Sequence, residues 1–266
     1  MNQSLENRFQ VFFEDEKYIA LKNSLYNYLL RKRAVEKVMR KEKKGLVLEV
    51  GSGISPVLTS CDQVVYSDLS FSALRTLKQM HGKGYYVVAN GMCLPFKADA
   101  FSHVISSEVL EHLEDDRGAL QEFARVAKPS GNLIVTFPHR RFYFAYDDRF
   151  VNHHRRYELP GMVQRLGEVG FLPVLVRKVL GPLEKVIMCA AVLCFSLLQK
   201  VQAKRPDSLR LNASEYLIVF LPLFKWINRI FAVIAWIDAN IMPRALSTVL
   251  LIKAVKTDNT KLFRSH

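Results

Sequence analysis

Cysteine is scarce in this chain and scattered along it. The 266 residues hold four, at Cys61, Cys93, Cys189 and Cys194. None forms a C-x-x-C pair and no histidine stands at metal-ligand spacing beside them. Neither a zinc site nor a disulfide framework is therefore expected, and a reducing cytosol fits. Acidic residues are also few, 25 against 38 basic, for a formal charge of +13. Residues 1–150 carry 21 basic and 18 acidic side chains (net +3), whereas residues 151–266 carry 17 and 7 (net +10). A basic half points to anionic lipid, nucleic acid or an acidic partner. Internal repeats and low-complexity tracts are missing. The opening MNQSLENRFQVFFEDEK has acids early and no apolar run of signal-peptide length, so a cytoplasmic location is expected.

Apolar residues make up 50% of the chain and charged ones 24%, enough to bury a sizeable core. Residues 7–40 read as one or two amphipathic helices. The basic stretch at 31–44 reads as a solvated helix end or as a contact for lipid phosphate. From residue 45 short apolar runs alternate with helical patterns. Leu46–Val50, Gln63–Tyr66, Tyr85–Ala89, His103–Ser106 and Asn132–Phe137 are strand candidates, with Ser72–Met80 and Arg117–Ala127 as helices. Such alternation argues an α/β fold, a parallel sheet with helices on both faces, whose ligands sit at the carboxyl ends of the strands. Residues 171–180 and 247–256 are two more strand-like runs.

The segment after the first strand is the most informative. In LVLEVGSGISP an apolar run ends at Glu49, then Gly51 and Gly53 permit a tight turn and close approach of a ligand. Pro56 stands where a nicotinamide dinucleotide fingerprint would need glycine. Glu49 repels a pyrophosphate and suits a cationic or zwitterionic ligand. Asp68 ends the next strand, where a carboxylate can accept from the two hydroxyls of a ribose; the alternative is a helix cap. Asn90 can hydrogen-bond an adenine edge with Met92 against the ring. His112, after Glu108, reads either as a capping or core histidine or as a ligand neighbour.

These segments together resemble the class I S-adenosylmethionine-dependent methyltransferases, in the branch of small-molecule, quinone and lipid methyltransferases. The motifs are Glu49-Val50-Gly51-Ser52-Gly53-Ile54-Ser55, Asp68, Asn90-Gly91-Met92 with Leu94-Pro95-Phe96, Glu108 to Leu113, and Lys128 to Leu133. The resemblance covers about residues 40–180 and the last strand. It implies a Rossmann-like seven-stranded sheet and S-adenosyl-L-methionine as cofactor. By that resemblance Gly51 and Gly53 admit the methionine portion and Glu49 helps bind it, Asp68 holds the ribose hydroxyls, Asn90 and Met92 bracket the adenine, Glu108 and His112 border the sulfonium, and Ser52, Leu69 and Gly91 complete the cofactor-binding set. Two positions depart from the pattern: Ser55 replaces the third loop glycine, and Asn90 stands where Asp is common.

Residues 138–160 follow the fifth strand and mix aromatics with charge. His139, His153, His154 and Tyr157 are the candidates for a base or for orienting an acceptor, and Arg155 and Arg156 suit an anionic group. The alternative is a surface segment whose charges pair among themselves. No ligand spacing here supports a metal, and none is expected. Residues 182–246 interrupt the last two strands as a hydrophobic insertion. Val186–Leu198 is too short to span a bilayer, and Tyr216–Ile237 holds Lys225, Asn228 and Arg229 on one face, with Phe220, Phe224, Ile227, Phe231 and Ile234 on another. That pattern, with Trp226 and Trp236, suits a helix lying in a membrane interface; a lid or a surface for a second copy is the alternative.

The expected organisation is an N-terminal helical segment (1–44), a cofactor-binding domain (45–181 plus 247–257), the insertion (182–246) and a tail (258–266). The expected activity is methyl transfer to a small hydrophobic or lipid-linked acceptor at the inner membrane surface. The competing reading is a methyltransferase-like assembly module that uses the insertion for contact. Nucleic acid is not an expected substrate, because Ser106-Ser107-Glu108-Val109 stands where base methylation would want N/D-P-P-Y.

Overall fold

A computed structural model describes residues 23–42, 45–190, 193 and 213–257, with 213–221 described by their backbone alone. Residues 7–22 of the expected N-terminal helices, the basic stretch at Lys200, Lys204, Arg205 and Arg210, most of the apolar run beyond residue 190, and the tail lie outside the described residues.

The central apolar runs become strands because they are buried on both faces, as in β1 (Val47–Val50), whose four residues are all buried. The others are β2 (Val64–Asp68), β3 (Tyr85–Val88), β4 (Phe101–Ser107), β5 (Ala127–Pro138), β6 (Phe171–Leu180) and β7 (Val249–Lys256). They form one sheet in the order β3-β2-β1-β4-β5-β7-β6, with β7 antiparallel to both neighbours. This is the expected seven-stranded α/β sheet. Helix α1 (Tyr26–Met39) and α2 (Phe71–His81) pack on one face with Tyr66 and Leu180. Helices α3 (Asp116–Val126) and α5 (Leu159–Glu168) cover the other through Leu120, Phe123, Met162 and Leu166. Between them lies the short α4 (Tyr146–Phe150).

Strand β5 begins earlier than the sequence suggests. Lys128–Asn132 reads as a turn into the strand, yet the strand already starts at Ala127, paired with Phe101. Ser130 takes φ 58° inside it, and a register shift absorbs the extra residues. The caps are local. Ser70 accepts from the Ala73 N–H to start α2, and Gly82 at φ 68° ends it.

The insertion leaves β6 at Gly181, where a Cβ would lie 2.2 Å from Asp238 Oδ2. Residues 182–190 are helical, and the long helix α6 (Ala213–Ile241) returns toward β7. Its inward face is small: Ala235 and Ala239 are buried against the sheet. Asn228, expected on a solvated basic stripe, instead points inward, and its Oδ1 accepts from the Tyr26 N–H at 3.3 Å. Phe231, expected on an outward apolar stripe, packs with the Tyr26 ring. The outward stripe is Leu223, Trp226, Ile230, Val233, Ile237 and Ile241, at i, i+3, i+4 spacing and all exposed. Among the described residues no helix is long and apolar enough to cross a membrane.

Candidate active site at the carboxyl edge of the sheet

The loop after β1 carries Gly51 at φ 71° and Gly53 at φ 51°, both in the left-handed region that glycine enters cheaply. A Cβ on Gly51 would also lie 2.3 Å from Val109 Cγ2. Asp68 ties this loop to the end of β2: its Oδ2 accepts from the Gly53 N–H at 2.8 Å and its Oδ1 from the Ser70 N–H at 2.9 Å. The cap of α2 is thus Ser70, not Asp68. A carboxylate oxygen can accept from two donors, so these bonds do not exhaust the group.

Glu49 behaves differently from the sequence expectation. Its two oxygens accept from the Val57 and Leu58 N–H groups at 2.7 and 3.1 Å, folding the glycine loop back on itself. Burial raises its pKa from 4.5 to about 8. A folded-state value above the unfolded one means that protons favour the folded chain. Its contribution is full below about pH 4.5 and lost as pH rises through about 8. Thermal melts should therefore show wild-type stability falling between pH 5 and 8 by up to a few kcal/mol, each pH unit between the two values being worth about 1.4 kcal/mol. Glu49→Gln should flatten that slope; an unchanged slope would reject the assignment.

Around the loop the structure holds polar groups without partners. Val50 is flanked in register by Ser67 on β2 and Ser106 on β4, and among the described residues neither hydroxyl has a hydrogen-bond partner although both residues are wholly buried. The Ser52 hydroxyl beside Gly51 is buried and unpartnered too. Further out, Leu69 (64% exposed) and Met92 (38%) follow Asp68 and the Asn90-Gly91 turn with little covering them. Asn90 Oδ1 accepts from the Met92 N–H and fixes that turn. Unpartnered hydroxyls, a carboxylate with acceptor capacity and two bare apolar side chains are a set that fits an amino-acid-bearing nucleoside such as S-adenosylmethionine.

Next to the loop, Glu108 directly after β4 lies in the left-handed region, φ 55°, an uncommon state for a residue with a side chain. Arg31 of α1 reaches it at 3.3 Å and the Thr136 hydroxyl at 3.5 Å. The basic stretch after residue 31 is thus partly spent inside the molecule. Glu36, an acid within it, accepts from the Thr59 and Ser60 N–H groups, and burial, opposed by these bonds, leaves its pKa lowered. One of two acids in a basic run, it gave no other sequence signal for this.

The acceptor-side candidates separate. His139 is buried with Nδ1 at 2.9 Å from the Ser247 carbonyl, and burial lowers its pKa. Tyr157 is buried and donates to Asp116 Oδ2 at 2.9 Å; burial raises its pKa. The His154 ring is exposed. His153 is drawn in, its ring beside His112 with centroids 4.7 Å apart. Both rings adjoin Glu111, a fully buried carboxylate that was not a candidate on sequence grounds. Burial and then the charge of Glu108 push its pKa well up. A cavity of about 220 Å³ opens nearby, lined by Arg141, Phe144, Arg155, Arg156, Tyr157 and Arg165.

The segment at 146–157 pairs part of its charge within itself, as the alternative held, His153 and Arg156 both meeting Asp148, but it does so buried and with a partner from the insertion. Asp147 and Asp148 are buried on α4, and Lys185 from the insertion bridges them, Nζ lying 2.6 and 2.8 Å from Asp147 and 2.5 Å from Asp148. Arg156 Nε adds a 2.7 Å contact to Asp148. Burial opposes ionisation of Asp148, but His153, Lys185 and Arg156 outweigh it and hold its pKa well below the usual range.

Residues 48–135 match the family described as a methyltransferase domain. The demethylmenaquinone methyltransferase of Streptomyces griseus is 34% identical over 116 residues, 42% of this chain and 50% of that protein. The ubiquinone/menaquinone biosynthesis C-methyltransferase UbiE of Francisella philomiragia is 33% identical over 137 residues, 44% of this chain and 55% of that one. The chain spans about half the length of these curated relatives. Among solved structures, phosphoethanolamine N-methyltransferase 2 of Haemonchus contortus, in complex with S-adenosyl-L-methionine, overlays with a TM-score of 0.57 at 17% identity, covering 94% of this chain and 60% of that one. The family match takes in the glycine loop, Asp68 and the Asn90 turn.

Proposed function

We propose that this chain, which belongs to the class I S-adenosylmethionine-dependent methyltransferases through residues 48–135, transfers a methyl group to a small hydrophobic or lipid-linked acceptor at a membrane surface. The observation that carries the reading is the tie between Asp68 and the Gly53 N–H, which closes the glycine loop beside the unpartnered Ser52 hydroxyl. Gly51, Ser52 and Gly53 would hold the amino-acid end of the cofactor, Asp68 the ribose hydroxyls, and Leu69, Asn90, Gly91 and Met92 the adenine. Glu49 would act through the loop it folds, since its oxygens are engaged by Val57 and Leu58. Glu108 and His112 would border the reacting centre. Bound there, the sulfonium supplies an electrophilic methyl. The chain's own task is alignment, worth roughly 7–11 kcal/mol when well oriented. His153, fixed by Asp148, is the best placed of the candidate bases should an acceptor have a proton to lose.

Transfer of radiolabelled methyl from S-adenosylmethionine into host extract tests the activity. Label in the organic phase is the expected outcome; label confined to soluble acceptors rejects the lipid-linked class, and no transfer with no calorimetric binding rejects the activity. The outward stripe of α6, with Trp226 and Trp236 both exposed, supports the surface location. The chain should co-sediment with anionic vesicles, and Trp226→Glu with Val233→Glu should leave most of it in the supernatant with an unchanged melt. Equal sedimentation of both proteins would sink the membrane reading.

A further inference from the structure

The group left without an explanation is Glu111. It is 0% exposed and, among the described residues, both carboxylate oxygens lack a hydrogen-bond partner. A buried carboxylate in that condition costs several kcal/mol unless something compensates it. Two imidazoles face it. One atom from each of Glu111, His112 and His153 can be chosen so that all three lie within 4.8 Å of one another, and His153 Nε2 is 3.8 Å from Glu111 Oε1. That contact is too long for a hydrogen bond.

We infer that Glu111, His112 and His153 form a binding site for a divalent transition-metal ion. Three features of the geometry argue it. First, His153 Nδ1 lies 2.9 Å from Asp148 Oδ1, and Asp148 is held ionised by Lys185 and Arg156, so Nδ1 must donate. In the neutral ring the lone pair is then left on Nε2, the atom that faces Glu111, and an ion held there replaces the base role of His153. A carboxylate orienting a histidine by its far nitrogen is the usual outer support of a metal-bound imidazole. Second, metal bonds of about 2.0–2.2 Å at tetrahedral angles place ligand atoms roughly 3.3–3.6 Å apart, so a pair at the 4.8 Å limit has to close by about an ångström, within reach of side-chain rotation. Third, an ion bonded to both rings sets their centroids about 4.5–5.2 Å apart, and they stand at 4.7 Å. Two nitrogens and one oxygen favour zinc, manganese or iron over calcium.

The backbone carries the arrangement. The 3-10 turn Leu110–His112 places two ligands in succession, and the His154 N–H donates to the Glu111 carbonyl at 2.8 Å, pinning the third beside them. Three protein ligands leave coordination positions for water or an oxygen of a substrate. Placed beside Glu108, that opening lies on the acceptor side of the transfer, a link that rests on the proposed function. The ion site itself rests only on the side chains.

Full-length protein dialysed against EDTA and titrated with Mn2+ and with Zn2+ tests the inference. One ion per chain is expected by calorimetry, with Mn2+ broadening the His112 and His153 ring signals. His153→Ala and His112→Ala should each weaken uptake at least tenfold. No stoichiometric uptake by wild type, broadening at other histidines, or unchanged affinity in both variants would overturn it. The broadening reads the wild-type chain, so the test survives a variant that fails to fold. S-adenosylmethionine titrated into the same metal-free protein separates the two ideas. Cofactor binding without ion uptake sinks only the metal site, and ion uptake without cofactor binding sinks only the methyltransferase reading.

Discussion

Lys185→Met should lower the unfolding free energy by about 3–5 kcal/mol, the usual cost of removing one partner from a buried ion pair. The ammonium sits at 2.6 Å or closer to an oxygen of each of two carboxylates that are themselves buried. Arg156 and His153 remain on Asp148, whereas the Asp147 carboxylate is left to the Cys189 thiol, a weak donor at 3.4 Å. Urea unfolding at pH 7 measures the loss. The deficit should shrink as pH falls below about 4, because the stability held in the lowered pKa of Asp148 is lost there in the wild type. Adding Asp147→Asn to Lys185→Met should recover part of the stability, since burial of an uncompensated charge is the cause. A midpoint unmoved by Lys185→Met would show that the insertion is not anchored there.

Asp68→Ala should weaken S-adenosylmethionine binding at least 100-fold, equivalent to about 2.7 kcal/mol. Two losses combine. The Gly53 and Ser70 N–H groups lose their acceptors at 2.8 and 2.9 Å, so the loop slackens. The acceptors proposed for the ribose hydroxyls vanish with them. Asp68→Asn keeps one acceptor oxygen and should lose less. Calorimetry on the variants, beside a thermal melt, separates the binding loss from unfolding. Affinity within threefold of wild type in Asp68→Ala would remove the main support for the cofactor site.

The sheet was legible because its strands are contiguous apolar runs with glycine or an acid at their carboxyl ends. Gly51, Gly53 and Asp68 were legible for the same reason: the chemistry sits within a few residues of each strand end. What could not be read was pairing at long range. Glu111 and His153 belong to one cluster across a separation no motif spacing encodes, and Lys185 answers Asp147 and Asp148 from a segment that composition marks only as apolar. Asn228 shows the same limit at a single residue. Helical periodicity put it with Lys225 and Arg229, but a backbone N–H on α1 needed an acceptor and turned it inward.

The Lys185 bridge bears on how this protein can be trimmed. Strands β6 and β7 pair from Phe171 with Lys256 to Leu180 with Val249, so the two ends of the intervening stretch emerge side by side and a hairpin of roughly two to four residues could join them. Excising it alone would strip the Lys185 counter-charge from the buried Asp147 on α4. A minimal catalytic unit therefore has to be built as a double change, with the hairpin graft accompanied by a neutral residue at 147, while Asp148 stays to hold Arg156 and His153.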